Sequence, residues 1–373
     1  MKINRVLRYV NIYGLSRTFA KVMGRLRINF PLWLFLKFPL YNFNGLRVGI
    51  VGAGHHAYSS IAFYLCAFTN SSIAFVSDIN NEASSSLSKA YRGRNVGNNF
   101  LDALSHNTSV DLIYVASNHA THVDYAIEAM LRGIDVFIEK PIVVNQPQWK
   151  RFKEVSKYFK GKIYVGYNRP FARATRILNK VAAKEEGPFT LSFFVTAHFI
   201  DADHWYRQSA EGTRVVANMS HWLDMSVHAL SWKNELPEYI DISISYSNEM
   251  QPSDNVNLSI VSSMGDLINI VFTSRSEPYE GVNESINFNI GKVICKVDDF
   301  RTMTIWSEDK IFKKRFSPKD NGHQACVLQP FSKDYVRSWS EVYLSTALML
   351  HVEKMVKSLE KNSRFFLYTE SEK

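Results

Sequence analysis

The sequence predicts an α/β protein: a Rossmann-type doubly wound parallel sheet followed by an α+β domain with an open, mostly antiparallel sheet. Three observations carry that prediction. Residues 46–57 read LRVGIVGAGHHA, an apolar run that enters a glycine turn opening a helix. The apolar runs SIAFVSDIN, VDLIYVAS and DVFIEKP then alternate with helical stretches such as AIEAMLRG, the spacing of parallel strands joined by crossover helices. After KIYVGYNR, a further strand of the first sheet, the pattern changes. FTLSFFVTAHF, YIDISISY, VNLSIVSS and LINIVFTS alternate apolar and polar residues and read as antiparallel strands with one covered face.

These elements divide the 373 residues into an arm over 1–45, a nucleotide-binding domain over 46–166 and a second domain over 167–330. The last stretch, 331–373, contains KDYVRSWSEVYLSTALMLHVEKMVKSL, which has helical periodicity and is expected to pack back on the body. The three cysteines, Cys66, Cys295 and Cys326, lie far apart with no CxxC pair. That excludes a disulfide framework or a zinc knuckle, and the histidines show no ligand spacing, so no metal is expected.

Charge is unevenly distributed. The formal net charge is +9, and Lys2, Arg5, Arg8, Arg17, Lys21, Arg25, Arg27, Lys37 and Arg47 precede any acidic residue. Basicity therefore belongs to the arm and not to the body. Residues 28–40, INFPLWLFLKFPL, are apolar but interrupted by Pro31, Lys37 and Pro39, and too short for a hydrocarbon core that needs about 20 residues. No small-residue cleavage site follows. A basic segment carrying Trp33, Phe35 and Phe38 suits an anionic membrane surface, which predicts a cytoplasmic protein peripheral on the inner face of the membrane. The alternative is an arm that packs on the body or on another subunit. On the membrane reading the arm is separable: removing 1–45 leaves the nucleotide-binding domain folded. No basic-aromatic motif on a nucleic-acid-binding fold is present, so nucleic acid is not an expected partner.

In the glycine turn, Gly52 and Gly54 allow tight turning and close approach to a pyrophosphate, and Ala57 takes the third position of the fingerprint. The helix that follows offers free N–H groups to that anion. Asp78 ends the second apolar run, where a carboxylate accepts hydrogen bonds from both adenosine ribose hydroxyls and repels a 2′-phosphate. NAD is favoured over NADP on that reading; the other is a helix cap shared with Asn80 and Asn81.

Glu139, Lys140 and Pro141 form an EKP triplet after the fourth of these runs, and ASNHATH contains Asn118 and His122. With these motifs the sequence resembles the Gfo/Idh/MocA oxidoreductases. YNRPFA (167–172), ADHW (202–205), SHWLD (220–224), VDDF (297–300) and KDNGH (319–323) resemble more narrowly the reductase half of bi-domain oxidoreductases of surface-polysaccharide pathways. The resemblance implies bound NAD, with Asn118, His122 and the EKP triplet on the nicotinamide side, and a sugar or sugar nucleotide as substrate. The open sheet is also a possible homo-oligomer face.

Hydride removal from a C–H carbon requires that the adjacent O–H proton be taken up. The resemblance puts Lys140 beside the reacting hydroxyl, against the alternative of an ordinary exposed lysine. His221 faces the substrate by the same resemblance, with Asp224 one turn on and able to hold one imidazole tautomer; otherwise it is a core histidine capped by Asp224. The family's usual acid before this histidine is missing, its positions taken by Ala217 and Asn218. Asn218 can orient a hydroxyl but cannot act as a base, and turnover is in doubt there. Asn168 and Arg169 end the sixth strand, where the guanidinium forks onto a substrate anion or forms a structural ion pair. Asp203, His204 and Trp205 offer a sugar hydroxyl acceptors and a stacking face, or are a helix cap and a core tryptophan. His55 and His56 have no assigned role. The function predicted is NAD-dependent oxidation or reduction of a CH–OH group in polysaccharide biosynthesis. The alternatives are an NAD-retaining glycoside hydrolase or epimerase and a non-catalytic scaffold.

Overall fold

A computed structural model describes residues 3–36, 45–105, 109–233, 235–276, 281–333 and 335–367. The chain forms two compact units. One comprises Met1–Tyr167 with His323–Trp339, the other Asn168–Gly322 with Ser340–Lys373.

The first unit contains a six-stranded parallel sheet: β1 (Arg47–Val51), β2 (Ser72–Ser77), β3 (Arg94–Gly97), β4 (Leu112–Val115), β5 (Asp135–Ile138) and β6 (Ile163–Val165). Their order is β3-β2-β1-β4-β5-β6 and all pairings are parallel. Val48, Ile50, Ile113, Val115 and Phe137 are fully or almost fully buried, as near-continuous apolar runs in a sheet covered on both faces must be. The order reverses direction at β1/β4, the place where such sheets bind ligands beyond their carboxyl ends.

Ahead of this sheet lie helices α1 (Ile3–Tyr13) and α2 (Leu15–Leu26). They are not a detachable arm. Ile12, Ala20 and Leu32 are fully buried, and Gly24 lies so close to Tyr58 that an added Cβ would stand 2.6 Å from its ring. Arg27, in the left-handed conformation that caps α2, donates from Nη1 to the Ala53 carbonyl at 2.9 Å. The expectation of a separable segment is corrected accordingly: its apolar residues cover the first Rossmann helix. Phe38 and Lys37 of the apolar run fall outside the described residues, as do the side chains of Lys2 and Arg5.

The crossover elements are α3 (Ala62–Phe68), α4 (Asn81–Tyr91), α5 (Phe100–Ser105), α6 (His122–Met130) and α7 (Gln146–Ser156). In the second unit, α8 (Arg173–Ala182) and α9 (Ser220–Leu230) accompany a nine-stranded sheet, counted among the described residues. Its strands are β7 (Phe189–Thr196), β8 (Tyr239–Tyr246), β9 (Val256–Ser262), β10 (Leu267–Thr273), β11 (Asn283–Ile290), β12 (Val293–Asp298), β13 (Thr302–Ser307), β14 (Lys310–Arg315) and β15 (Asn362–Phe366). They are ordered β14-β13-β12-β11-β7-β10-β9-β8-β15, and only β7 and β10 pair in parallel. One face is buried: along β7 burial alternates strictly, with Phe189, Leu191, Phe193 and Val195 inward. Two helices complete the chain: α10 (His323–Val327) in the first unit, and α11 (Trp339–Ser358).

Candidate active site

The glycine turn follows β1. Gly52 has φ +88°, and a Cβ there would stand 2.3 Å from the Ala116 carbonyl oxygen, so a side chain is barred by both backbone and space. Gly54 is the opposite case: its added Cβ would meet nothing within 4 Å. The turn is thus tight against the sheet at Gly52 and open at Gly54, the space a pyrophosphate needs to approach the backbone. Ala57 is fully buried.

Asp78, just past β2, accepts from Ala53 N at 2.6 Å and from Asn80 N at 2.7 Å. Asn80, not Asp78, caps α4, its Oδ1 accepting from Ala83 N at 3.1 Å. Each Asp78 oxygen spends one lone pair on a backbone amide and keeps acceptor capacity for a ribose hydroxyl. A cavity of about 500 Å³ is lined by Asn98, Phe100, Leu101, Thr121 and Tyr125 among others. The cavity's walls are Phe100, Leu101 and Tyr125, with Asp102, Asp124 and Glu128 at its margin, and they come from two stretches of chain, 98–102 and 121–128. Burial first, then the charges of Asp78 and Asp124, raise the Tyr125 hydroxyl above its ordinary value.

Asn118 is exposed at the end of β4, its carbonyl accepting from Thr121 N at 3.0 Å. His122 is 1% exposed, with Nδ1 2.7 Å from the Pro141 carbonyl and Nε2 3.0 Å from that of Ser117. A backbone carbonyl stands at each ring nitrogen; burial holds the imidazole's pKa below its ordinary value, and the neutral ring donates to one of the two. The expected cofactor contact is therefore corrected: His122 ties the β4 loop to the EKP segment. The Lys140–Pro141 peptide is cis.

His56, left without a role by the sequence, bonds Glu139 through Nε2 at 2.9 Å. Burial pushes the Glu139 carboxyl up, but the His56 charge and hydrogen bond, with Lys140 and His122, outweigh it and hold it below its usual range. Glu139 is thereby an anchor beneath the turn, next to the half-buried Lys140. Gly52, Gly54, Asp78, Asn118 and Lys140 all lie at or just beyond the carboxyl ends of β1, β2, β4 and β5.

In the second unit, His221 is half-buried on α9, edge-on to Trp222 with ring centroids 5.9 Å apart, and Asp224 is fully buried one turn on. A π-turn at Val215–Met219 runs straight into α9 and contains Ala217, buried, and Asn218, half-buried, whose Oδ1 is shut from solvent without a hydrogen-bond partner. A second π-turn, Ala57–Ile61, follows the glycine turn. Such one-turn bulges recur where a helix carries functional groups. Neither was readable from apolar periodicity.

Arg169 is corrected from substrate fork to structural ion pair. It is 4% exposed and grips Glu284 from Nε at 2.7 Å and Nη2 at 2.8 Å. Its guanidinium lies over Trp222 at 4.2 Å, and Trp222 Nε1 donates to the same carboxylate at 2.8 Å. The VDDF and KDNGH motifs join this core. Lys319 Nζ reaches Asp299 Oδ1 at 2.5 Å, and Asn168 Nδ2 donates to the Asn321 carbonyl at 2.5 Å. Asn168 Oδ1 is buried with no hydrogen-bond partner, the single open polar atom of that pair. Asp203 and His204 are exposed and Trp205 half-buried in a loop; His204 Nδ1 caps its short 3₁₀ turn, and Trp205 packs edge-on against Tyr206 at 4.2 Å. Among the described residues no cluster of three metal-ligating side chains occurs.

A doubly wound sheet with an open glycine turn, an acid after β2 and a lysine after β5 is a dinucleotide-binding arrangement of the Rossmann type. Residues 46–167 match the family described as "Oxidoreductase family, NAD-binding Rossmann fold", Gfo/Idh/MocA. The inositol 2-dehydrogenase of Azotobacter vinelandii is 29% identical over 140 residues, which are 36% of this chain and 40% of the relative. The match thus spans well under half of that curated relative. By structure, the chain is similar to a dehydrogenase from Chromobacterium violaceum (TM-score 0.71, 16% identity, 86% of this chain and 96% of that one). It is also similar to the UDP-N-acetylglucosamine 3-dehydrogenase of Acidithiobacillus ferrooxidans (TM-score 0.67, 17% identity, 84% and 98%). At these identities the structural likeness is one of fold.

Proposed function

We propose that the protein is an NAD-dependent oxidoreductase acting on a ring CH–OH group of a sugar or sugar nucleotide. The observation that carries this reading is the array at the strand ends of the first unit: an open Gly54, Asp78 with acceptor capacity left, and Lys140 next to the anchored Glu139. NAD bound there supplies the hydride acceptor. The backbone from Gly52 to Gly54 and the first turn of the following helix hold its pyrophosphate, and Asp78 holds its ribose. Lys140 Nζ takes the hydroxyl proton as the hydride leaves and returns it in the reverse direction. In the second unit, His221 and the Asn218 and Asn168 Oδ1 atoms, which are buried without a hydrogen-bond partner, are groups able to bind substrate hydroxyls. Related proteins named for inositol and UDP-N-acetylglucosamine dehydrogenation support a polyol or sugar ring as the reacting group.

The resemblance to reductase halves of polysaccharide enzymes supports surface-polysaccharide biosynthesis as the setting. Exposed Leu7, Leu15, Phe19, Leu26, Leu34 and Phe35, on a segment rich in cations, support attachment to an anionic membrane face. Among the described residues no helix is long and apolar enough to cross a membrane.

The test is cofactor absorbance with a panel of sugar nucleotides. Turnover of one of them is expected, with Lys140→Ala slowing it by at least ~100-fold while NAD affinity, read by calorimetry, stays unchanged. Undiminished turnover in the variant removes Lys140 from the proton path. Product formed without net reduction of added NAD assigns the NAD-retaining class instead.

A further inference from the structure

The N-terminal helices enclose, against the first Rossmann helix, a cavity of about 260 Å³, the volume of roughly nine water molecules. It is lined by Tyr9 and Tyr13 of α1, Arg17, Lys21 and Arg25 of α2, His55 and His56 of the glycine turn, Ser59, Ser60 and His323. It borders the helix start after the glycine turn through His55 and His56, but none of Gly52, Gly54, Asp78 and Asn118 lines it.

Its chemistry is one-sided. No acidic residue lines it, and none occurs in the first 77 residues of the chain. Arg17 is 8% exposed, sends Nη2 to Ser60 Oγ at 3.1 Å and leaves a buried Nε without a hydrogen-bond partner. Lys21 Nζ stands 3.8 Å from the centroid of the Tyr13 ring and 5.1 Å from that of Tyr9. Among the described residues neither Lys21 nor Arg25 forms an ion pair with a carboxylate. Burial first, then the charges of Arg17 and Arg25, pull the Lys21 amine down to about 7. Glu139, which bonds the lining residue His56 at 2.9 Å, does not itself line the cavity. Three cations gathered around a cavity, with donors in excess and no counter-charge, are an arrangement that costs stability while empty. It is relieved by a ligand that is all acceptor and doubly negative.

We infer that this cavity is a second anion site, separate from the cofactor site, that takes a phosphomonoester or diphosphate group. The phosphoryl oxygens accept from Arg17 Nε, Lys21 Nζ, Arg25 and the Ser60 hydroxyl, with the Tyr9 and Tyr13 rings walling the side toward α1. The phosphate belongs either to a soluble ester or to a lipid headgroup. The inference goes beyond the proposed oxidoreductase activity and does not depend on it.

The test uses the full chain and inorganic pyrophosphate as probe, titrated by calorimetry with and without saturating NAD. Pyrophosphate is expected to bind in both cases, because the sites differ. Lys21→Gln with Arg25→Gln should weaken it at least tenfold with NAD affinity and melting temperature preserved. The charge-matched control, Lys180→Gln with Lys184→Gln on exposed positions of the second unit, should leave it unchanged. Binding abolished by NAD, or weakened equally by the two double variants, overturns the inference, as does no binding at all. Phosphatidylcholine vesicles doped with phosphatidic acid separate the sources. Capture that pyrophosphate competes away assigns a lipid phosphate; pyrophosphate binding without capture assigns a soluble ester.

Discussion

Arg169 shows how far a residue's role depends on neighbours that sequence does not place beside it. A guanidinium at a strand end reads equally well as an anion fork or as half of an ion pair. Glu284, 115 residues on, decides it by taking both Nε and Nη2 in a buried bidentate pair. His122 was read as a cofactor contact, yet the carbonyls beside its two nitrogens come from Ser117 and Pro141, and only the fold brings those to one ring. Gly52 and Gly54 were legible because backbone geometry is local. Lys21 yields a prediction at this scale. Its folded pKa of about 7 lies below the ordinary 10.5. Between those values the unfolded chain keeps a proton that the folded chain has released, so stability rises with pH across this window, and the burial penalty is fully present below it. Lys21→Met should therefore stabilise the protein at about pH 6 and lose most of that advantage by about pH 10, as read by urea denaturation. A constant difference across the range would mean that Lys21 is not desolvated.

Elements with a strong period were readable: β1, β2, β4 and β5, and the alternating strands β7 to β10, fall where the apolar pattern put them. The two π-turns were not, because one extra residue in a helical turn leaves only a phase slip in a pattern already crowded with apolar residues. β15 was missed because its burial alternates only between exposed and half-buried, which leaves no apolar face to detect, yet it pairs with β8 across more than a hundred residues. The packing of the N-terminal helices was not readable: their basic and apolar residues suggested a separable arm, whereas Ile12, Ala20 and Leu32 are buried and Gly24 lies against Tyr58. A chain of residues 46–373 should then melt at least ~10 °C lower than the full chain. Each large buried side chain contributes about 1.5–3 kcal/mol, and each kcal/mol is worth roughly 2–4 °C at this domain size. Scanning calorimetry checks it, and an unchanged melting temperature would restore the picture of a separable arm.

At the scale of the whole molecule, each compact unit is made of two stretches of chain. The first unit is closed by residues 323–339: Val327 O accepts from the buried Tyr114 hydroxyl at 2.7 Å, and Gln329 Nε2 donates to Val165 O at 3.1 Å. A fragment of residues 1–167 should consequently melt without a cooperative transition by circular dichroism, and fusion of residues 323–339 through a flexible linker should restore one. A sharp transition in the bare fragment would contradict this. The same interleaving sets a timetable at the ribosome. The 172 residues from Asn168 to Trp339 must be made before the cofactor unit receives its closing segment, a wait of roughly 9 to 34 s at ~5–20 residues per second. Through that interval the Val165 carbonyl of the edge strand β6 still waits for Gln329, and the nascent chain has an uncovered apolar edge to offer a chaperone.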